Sequence, residues 1–182
     1  CLSLSCTGCN LSCRWCQNSD ISQVPPEQTE RYVLSPEEAV ELCLKHRIPS
    51  LAYTYTEPFT WWEYMFDMAV LARENGLKNI LVSAGYVEKD PLQQLLPYLD
   101  AANIDIKAMD DGFYRKYCGA TLTPVLENIL SMRAAGVHLE LTNLLVTGLN
   151  DSEDQVGRLC RWMATNNLQD VPLHFSRFFP HY

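Results

Sequence analysis

The sequence predicts an α/β protein: a parallel sheet with outer helices, curved into a partial (β/α)6 TIM-like barrel. Short apolar runs alternate with helical patterns six times along the 182 residues, as parallel strands joined by helical crossovers do. Six such units fall short of the eight of a closed barrel, so an open, curved version is expected, with a doubly wound flat sheet as the alternative. Polar residues gather just after each predicted strand, at the carboxyl ends where either architecture binds its ligands.

The elements follow in order. Leu2 to Ser5 is strand-like and feeds a cysteine-rich loop, and Pro25-Pro26-Glu27-Gln28 then breaks regular structure. Ser35-Pro36-Glu37-Glu38 opens a helix running to His46, with a serine cap, proline in the first helical position and glutamates in the first turn. A strand over Ser50 to Thr56 is followed by a helix over Thr60 to Asn75, which carries Trp62, Phe66, Ala69 and Val70 at helical spacing and stops at Gly76. The Trp61-Trp62 pair is expected to pack the start of that helix. The third strand is Asn79 to Ser83, with a helix over Pro91 to Tyr98; the fourth is Asn103 to Lys107, with helical stretches at Gly112 to Cys118 and Thr123 to Ala135. Val137 to Val146 is the fifth strand, Ser152 to Asn166 a helix, and Val171 to Phe178 the last strand. No low-complexity segment or linker divides the chain, and one domain over 1–182 is expected. The chain starts on Cys1 rather than methionine, so it reads as the core of a longer parent protein.

Composition narrows the function. A formal net charge of −8 argues against broad nucleic-acid binding, which needs a basic surface to neutralise phosphates, yet leaves single basic residues to grip a small anion. No apolar run is long enough to cross a bilayer and no signal peptide is visible, so a reducing cytoplasm is the expected setting, with no membrane partner. Eight cysteines in a chain this long do not suggest a disulfide scaffold; Cys43, Cys118 and Cys160 fall in helical patterns and read as packing residues.

The chemistry concentrates in Cys9-Asn10-Leu11-Ser12-Cys13-Arg14-Trp15-Cys16. Three thiols in so tight a loop suit a cluster of soft metal ions, and three ligands to a cluster of four irons leave one iron open to bind and activate a ligand. Cys6 lies three residues before Cys9, so a closed four-cysteine zinc or electron-transfer site is the competing reading, and chance clustering of buried cysteines is a third. Later strands end in further polar groups: Thr56-Glu57, Ser83-Ala84-Gly85, Asp105 and Lys107, Thr142-Asn143 with Thr147-Gly148, and His174, Ser176 and Arg177.

These residues carry a family likeness. The Cys9, Cys13 and Cys16 spacing, with Trp15 before the last cysteine, resembles the signature of radical S-adenosylmethionine (SAM) enzymes. Gly8-Cys9-Asn10-Leu11 and Cys16-Gln17-Asn18 resemble the branch containing pyruvate formate-lyase activating enzymes. Ile21-Ser22-Gln23, Tyr55-Thr56-Glu57-Pro58 and His174-Phe175-Ser176-Arg177-Phe178-Phe179-Pro180 resemble the AmmeMemoRadiSam-system radical SAM enzymes. The likeness runs from Ser3 to the end of the chain.

The resemblance implies that Cys9, Cys13 and Cys16 ligate a [4Fe-4S] cluster whose open iron is chelated by SAM. Reductive cleavage of SAM would release a 5′-deoxyadenosyl radical that abstracts hydrogen from a substrate. It implies an electron donor of flavodoxin or ferredoxin type and admits a protein substrate, as in the activation of a glycyl radical enzyme. Glu57 would accept from the SAM ammonium, in the place of the family's glycine-glycine-glutamate turn, although Thr56 stands where that motif has glycine. Asp105 and Lys107 match the Asp-Leu-Lys of the activating enzymes; their spacing puts both on one strand face, where Lys107 could meet a carboxylate or simply pair with Asp105. Ser83 and Gly85 match the turn that lets the ribose approach, Asn143 with Gly148 would set strand five against adenine and ribose, and Trp15 would pack beside the adenine. His174 and Arg177 would face the substrate or the SAM carboxylate.

Overall fold

The computed structural model describes residues 1–180. Among these, six strands form one parallel sheet: β1 Leu2–Leu4, β2 Ser50–Tyr53, β3 Lys78–Ser83, β4 Ala101–Asp105, β5 His138–Leu145 and β6 Leu173–Arg177. The strands lie side by side in chain order, β1-β2-β3-β4-β5-β6. A doubly wound sheet reverses its order at a switch point, and this one does not, which settles the choice in favour of the partial barrel.

The connections are α1 Ser19–Ser22, α2 Pro36–His46, α3 Trp62–Glu74, α4 Lys89–Leu95, α5 Asp111–Phe113, α6 Leu122–Ala134 and α7 Glu153–Thr165. Helix α2 begins as its sequence predicts: Ser35 Oγ accepts from Glu38 N at 3.2 Å while the Glu38 carboxylate accepts from Ser35 N at 2.7 Å. Short 3₁₀ turns occupy Pro26–Gln28, Pro58–Trp61 and Leu96–Tyr98, and a π-helical turn follows α5 over Tyr114–Cys118.

The core lies between the sheet and these helices. Along β3, β4 and β5 every second residue is buried: Leu81, then Ala102 and Ile104, then Leu139 and Leu141. They pack with Met65, Met68, Ala69 and Ala72 of α3, Leu92 and Leu95 of α4, and Ile129 and Met132 of α6. The buried stripe of α3 is thus turned one position from the predicted Trp62, Phe66, Ala69 and Val70; Trp62 and Phe66 sit at its margin. Trp61 is buried at the helix start against Tyr53 and Tyr64, at ring separations of 6.0 and 5.9 Å.

Two strands stop two or three residues earlier than predicted, β4 because a backbone N–H leaves the ladder and β2 because the chain turns. In β4 the Lys107 N–H goes to the Tyr114 hydroxyl at 2.9 Å, so pairing ends at Asp105. In β2 the chain turns at Tyr55, whose φ of 69° is incompatible with a strand. Both early ends lie at the carboxyl edge of the sheet, where they free the following residues to line a cavity.

Candidate functional site

The cysteine loop leaves β1 and is held from several sides. The Gly8 N–H donates to the Ile21 carbonyl at 3.0 Å, and the Gln23 amide donates to the Leu11 carbonyl at 3.1 Å. The residues flanking Cys13 are pinned to the π turn: Ser12 N donates to Cys118 O at 2.8 Å and Arg14 N to Tyr117 O at 3.1 Å. Trp15 is buried, its ring 5.2 Å from Phe113 and 6.1 Å from Tyr117. It anchors the loop by packing and also lines the cavity above it.

That cavity, about 330 Å³, opens at the carboxyl ends of the strands. Cys9, Cys13 and Cys16 all line it, and Cys6 does not. Cys9 Sγ accepts from Leu11 N at 3.4 Å, while burial, with the Glu57 carboxylate nearby, pushes its thiol up to about 11. The Cys118 thiol, hydrogen-bonded to Cys13, lowers the Cys13 pKa against the effect of burial, and the Lys107 ammonium adds to the lowering. Cys16 Sγ lies 3.2 Å from Ser22 Oγ. Soft thiols set apart around one cavity fit a polynuclear cluster, and among the described residues no three His, Cys, Asp or Glu side chains are gathered tightly enough for a single ion.

Glu57 forms the opposite wall. Its carboxylate is buried and accepts from Ser83 Oγ at 2.8 Å, Ala84 N at 2.9 Å and Phe59 N at 3.3 Å. Burial raises its pKa despite these donors and the more distant Lys107 charge. The turn after β3 is built for this: Gly85 N donates back to Ser83 Oγ at 2.9 Å, and Gly85 itself has φ +69°. A Cβ there would stand 2.9 Å from Ile104 Cγ2. Glu57 is therefore a fixed carboxylate on the cavity wall, with hydrogen-bond donors around it and, among the described residues, no salt-bridge partner.

Asp105 and Lys107 supply the third wall. Lys107 Nζ meets Asp105 Oδ2 at 2.9 Å, and the Lys107 side chain is only 17% exposed. Burial pulls the ammonium pKa down, but Asp105 and the Cys13 sulfur outweigh it and raise it well above the usual lysine range. The peptide of Lys107 is fixed by neighbours: Asn150 Nδ2 donates to its carbonyl at 2.7 Å, and Asn143 Nδ2 donates to Ile106 O at 2.6 Å.

Of the residues singled out in the sequence, the cavity thus brings together Cys9, Cys13, Trp15, Cys16, Glu57, Ser83, Asp105 and Lys107. The other four, Gly85, Asn143, His174 and Arg177, were expected at the site but do not line the cavity. Asn143 is buried on the helix-facing side of β5 and braces the end of β4. Gly85 lies behind the Glu57 cradle. His174 Nε2 is 2.9 Å from Glu140 Oε2, and the Arg177 guanidinium lies 5.5 Å from the centre of the Phe179 ring. The cavity also takes in Asn18, Tyr55, Thr142, Leu144 and Ser176. Thr142 and Ser176 were visible as polar residues at strand ends; Asn18 and Tyr55 stood in the family-like motifs without a site role, and the structure joins them by a hydrogen bond from Asn18 Nδ2 to Tyr55 O at 2.6 Å.

The comparisons with known proteins agree with this geometry. An uncharacterized protein of Methanocaldococcus jannaschii is 44% identical over the whole of this chain, which covers 54% of that protein. The pyruvate formate-lyase-activating enzyme of Clostridium pasteurianum is 23% identical over 91% of this chain and 71% of its own length. Several relatives are thus matched over about half their length or less, including the 4-hydroxyphenylacetate decarboxylase activating enzyme of Clostridium scatologenes, at 40%. The solved structure of Streptococcus suis SuiB bound to S-adenosylmethionine superposes with a TM-score of 0.74 over 98% of this chain and 41% of that one; at 12% identity it shows the shared fold. The model of the Radical SAM superfamily matches residues 4–163, from β1 into α7, and the chain belongs to that superfamily.

Proposed function

We propose that the chain is the catalytic core of an enzyme that binds a [4Fe-4S] cluster on Cys9, Cys13 and Cys16 and cleaves SAM reductively. The single observation that carries this reading is the convergence of those three thiols, the buried Glu57 carboxylate and the Asp105–Lys107 pair on one cavity. The residues fit both groups. Three cysteines without a fourth in the cavity suit a cluster with an open iron. Among the described residues the buried Glu57 carboxylate has no salt-bridge partner, and the SAM ammonium would supply one. Lys107 is a partly buried cation able to take a carboxylate beside Asp105.

When bound, the cluster and SAM supply an electron and, after cleavage, a 5′-deoxyadenosyl radical that abstracts hydrogen from the substrate. The protein holds the loop still through the π turn and excludes water from the cluster face with Trp15 and Leu11, both buried. It also sets a carboxylate, Glu57, and a cation, Lys107, at separate places in the cavity lining, so that a zwitterionic amino-acid group binds in one orientation. Ser83, Gly85 and Asn143 serve this arrangement by seating Glu57 and the Lys107 peptide, while on β6 the residue that lines the cavity is Ser176, and His174 and Arg177 lie outside the lining.

Anaerobic reconstitution with iron and sulfide is expected to give a brown protein that forms 5′-deoxyadenosine from SAM with a strong reductant. Iron-loaded protein that forms none would falsify the enzyme reading. A second reading, activation of a glycyl radical enzyme, is favoured by relatives named as activating enzymes, among them the isethionate sulfite-lyase activating enzyme of Nitratidesulfovibrio vulgaris, 27% identical over 57% of this chain. It adds a protein substrate whose glycine loses a hydrogen at this cavity. A flavodoxin- or ferredoxin-type donor would supply the electron in either case. Among the described residues no helix is long and apolar enough to cross a membrane.

A further inference from the structure

We infer that Tyr55 is a ligand-contacting residue, its ring held at the mouth of the cavity to cover bound SAM. The inference rests on the SAM-binding reading above and adds a residue to it. Tyr55 has φ 69°, a left-handed conformation that costs a side chain with a Cβ stability and that glycine would adopt freely. Among the described residues only Arg47 and Asn167 share this feature outside glycine, and both lie at helix ends, where a left-handed residue closes the helix. Tyr55 closes no helix.

The strain is held in place from several sides. Asn18 Nδ2 donates to the Tyr55 carbonyl at 2.6 Å, and Thr56 N donates to Thr54 O at 2.9 Å across the residue. On the far side, Thr56 Oγ1 donates to Cys6 O at 2.6 Å and Glu57 N reaches Gly8 O at 3.5 Å. The turn that delivers Glu57 is thus tied to both flanks of the cysteine loop, and the backbone at Tyr55 has no freedom to relax. Packing does not explain the side chain: Tyr55 is 57% exposed, whereas Tyr53 two residues earlier is fully buried. A strained position that favours glycine carries a large aromatic ring, the ring gains little from the core, and the residue lines the cavity with its hydrogen-bond partner Asn18. A ring placed there gains its energy from a ligand, by shielding it from water and stacking on it.

The test uses cluster-loaded protein and three variants, Tyr55→Gly, Tyr55→Ala and Tyr55→Phe, with SAM itself as the probe. In the absence of SAM, Tyr55→Gly is expected to unfold at a higher temperature than Tyr55→Ala, because only glycine relieves the left-handed strain; the reverse order overturns the inference. SAM binding, read by equilibrium dialysis and by the change SAM makes in the spectrum of the reduced cluster, should weaken roughly two- to tenfold in both Tyr55→Gly and Tyr55→Ala. Tyr55→Phe should bind within about twofold of wild type, since the ring does the covering. Wild-type affinity in Tyr55→Gly overturns the role given to the ring. Wild-type protein that binds no SAM at all instead overturns the cofactor reading beneath it, so the two failures are told apart by the unmutated protein.

Discussion

Gly85→Ala probes how closely the Glu57 cradle is seated on the core. The substitution meets two costs. A residue with a Cβ at φ +69° loses about 1–2 kcal/mol to left-handed strain. The added Cβ would also lie 2.9 Å from Ile104 Cγ2 and 3.5 Å from Val125 Cγ1. Both neighbours are fully buried, so neither side chain can swing aside, and overpacking of this kind costs about 1–3 kcal/mol. The sum is a loss of about 2–5 kcal/mol, read as a shift of the urea midpoint at unchanged slope, with tryptophan fluorescence as the probe. Ile104→Ala separates the two costs. Alone it leaves a cavity and costs about 2–5 kcal/mol, but in the double variant the clash is gone. The double variant should therefore be more stable than the sum of the singles by about 1–3 kcal/mol, leaving only the strain. Additive losses, or a Gly85→Ala loss below about 1 kcal/mol, would refute the packing argument.

Further predictions concern the sheet and the site. Asp100 accepts from Lys78 Nζ at 2.8 Å and Asn79 N at 2.9 Å, with Arg73 at 3.5 Å. Burial raises its carboxyl, but these partners outweigh it and set its pKa below the usual range. Its contribution is therefore fully present above the unfolded value of about 3.9 and is lost as pH falls through the lower folded value; Asp100→Asn should cost about 1–3 kcal/mol at neutral pH and flatten the acid limb of a urea-midpoint profile. Tyr53→Phe removes the hydroxyl that donates to Asn79 Oδ1 at 2.8 Å and leaves a buried acceptor unpaired, so a loss of about 1–3 kcal/mol is expected in the same assay. Glu57→Gln should leave cluster formation intact yet weaken SAM binding measured by equilibrium dialysis, because the isostere can no longer balance the SAM ammonium; undiminished binding would remove Glu57 from the cofactor site.

What could be read in the sequence was what local spacing encodes. The cysteine loop was legible because its ligands must be close in the chain, and the capping box before α2 because its two hydrogen bonds join residues three apart. The alternation of apolar runs was enough to predict the sheet and its helices. Strand ends were less legible, since β4 stops where a tertiary partner, the Tyr114 hydroxyl, takes the Lys107 N–H. The same holds within the site. Asp105 and Lys107 were expected to share a strand face, and they do pair, but Lys107 lies beyond the strand and owes its position to Tyr114, Asn143 and Asn150. Cys118 read as a packing residue in a helix; the structure buries it against the cysteine loop, where its carbonyl holds Ser12. Gly119 carries the chain away in a left-handed conformation, and a Cβ there would stand 2.5 Å from Ser12 Oγ. No spacing in the sequence reports contacts made across more than a hundred residues.

The architecture explains why one loop can do so much. A three-residue strand at the sheet edge would hold a cluster poorly by itself. The π turn, the Gln23 amide and the Thr56 hydroxyl anchor the loop and its entry from three later parts of the chain. Cys6 lies on the strand side of that anchorage, its carbonyl engaged by Thr56 and its thiol outside the cavity.

The central claim, a three-cysteine cluster with an open iron, is tested most directly by comparing Cys6→Ala with Cys9→Ala, Cys13→Ala and Cys16→Ala after anaerobic reconstitution. Iron per chain and the electron paramagnetic resonance of the reduced cluster are measured with and without SAM. Cys6→Ala should keep the cluster and its change on adding SAM, while each of the other three loses the cluster. A Cys6→Ala protein that loses iron as Cys13→Ala does would mean a closed four-cysteine site and contradict the account.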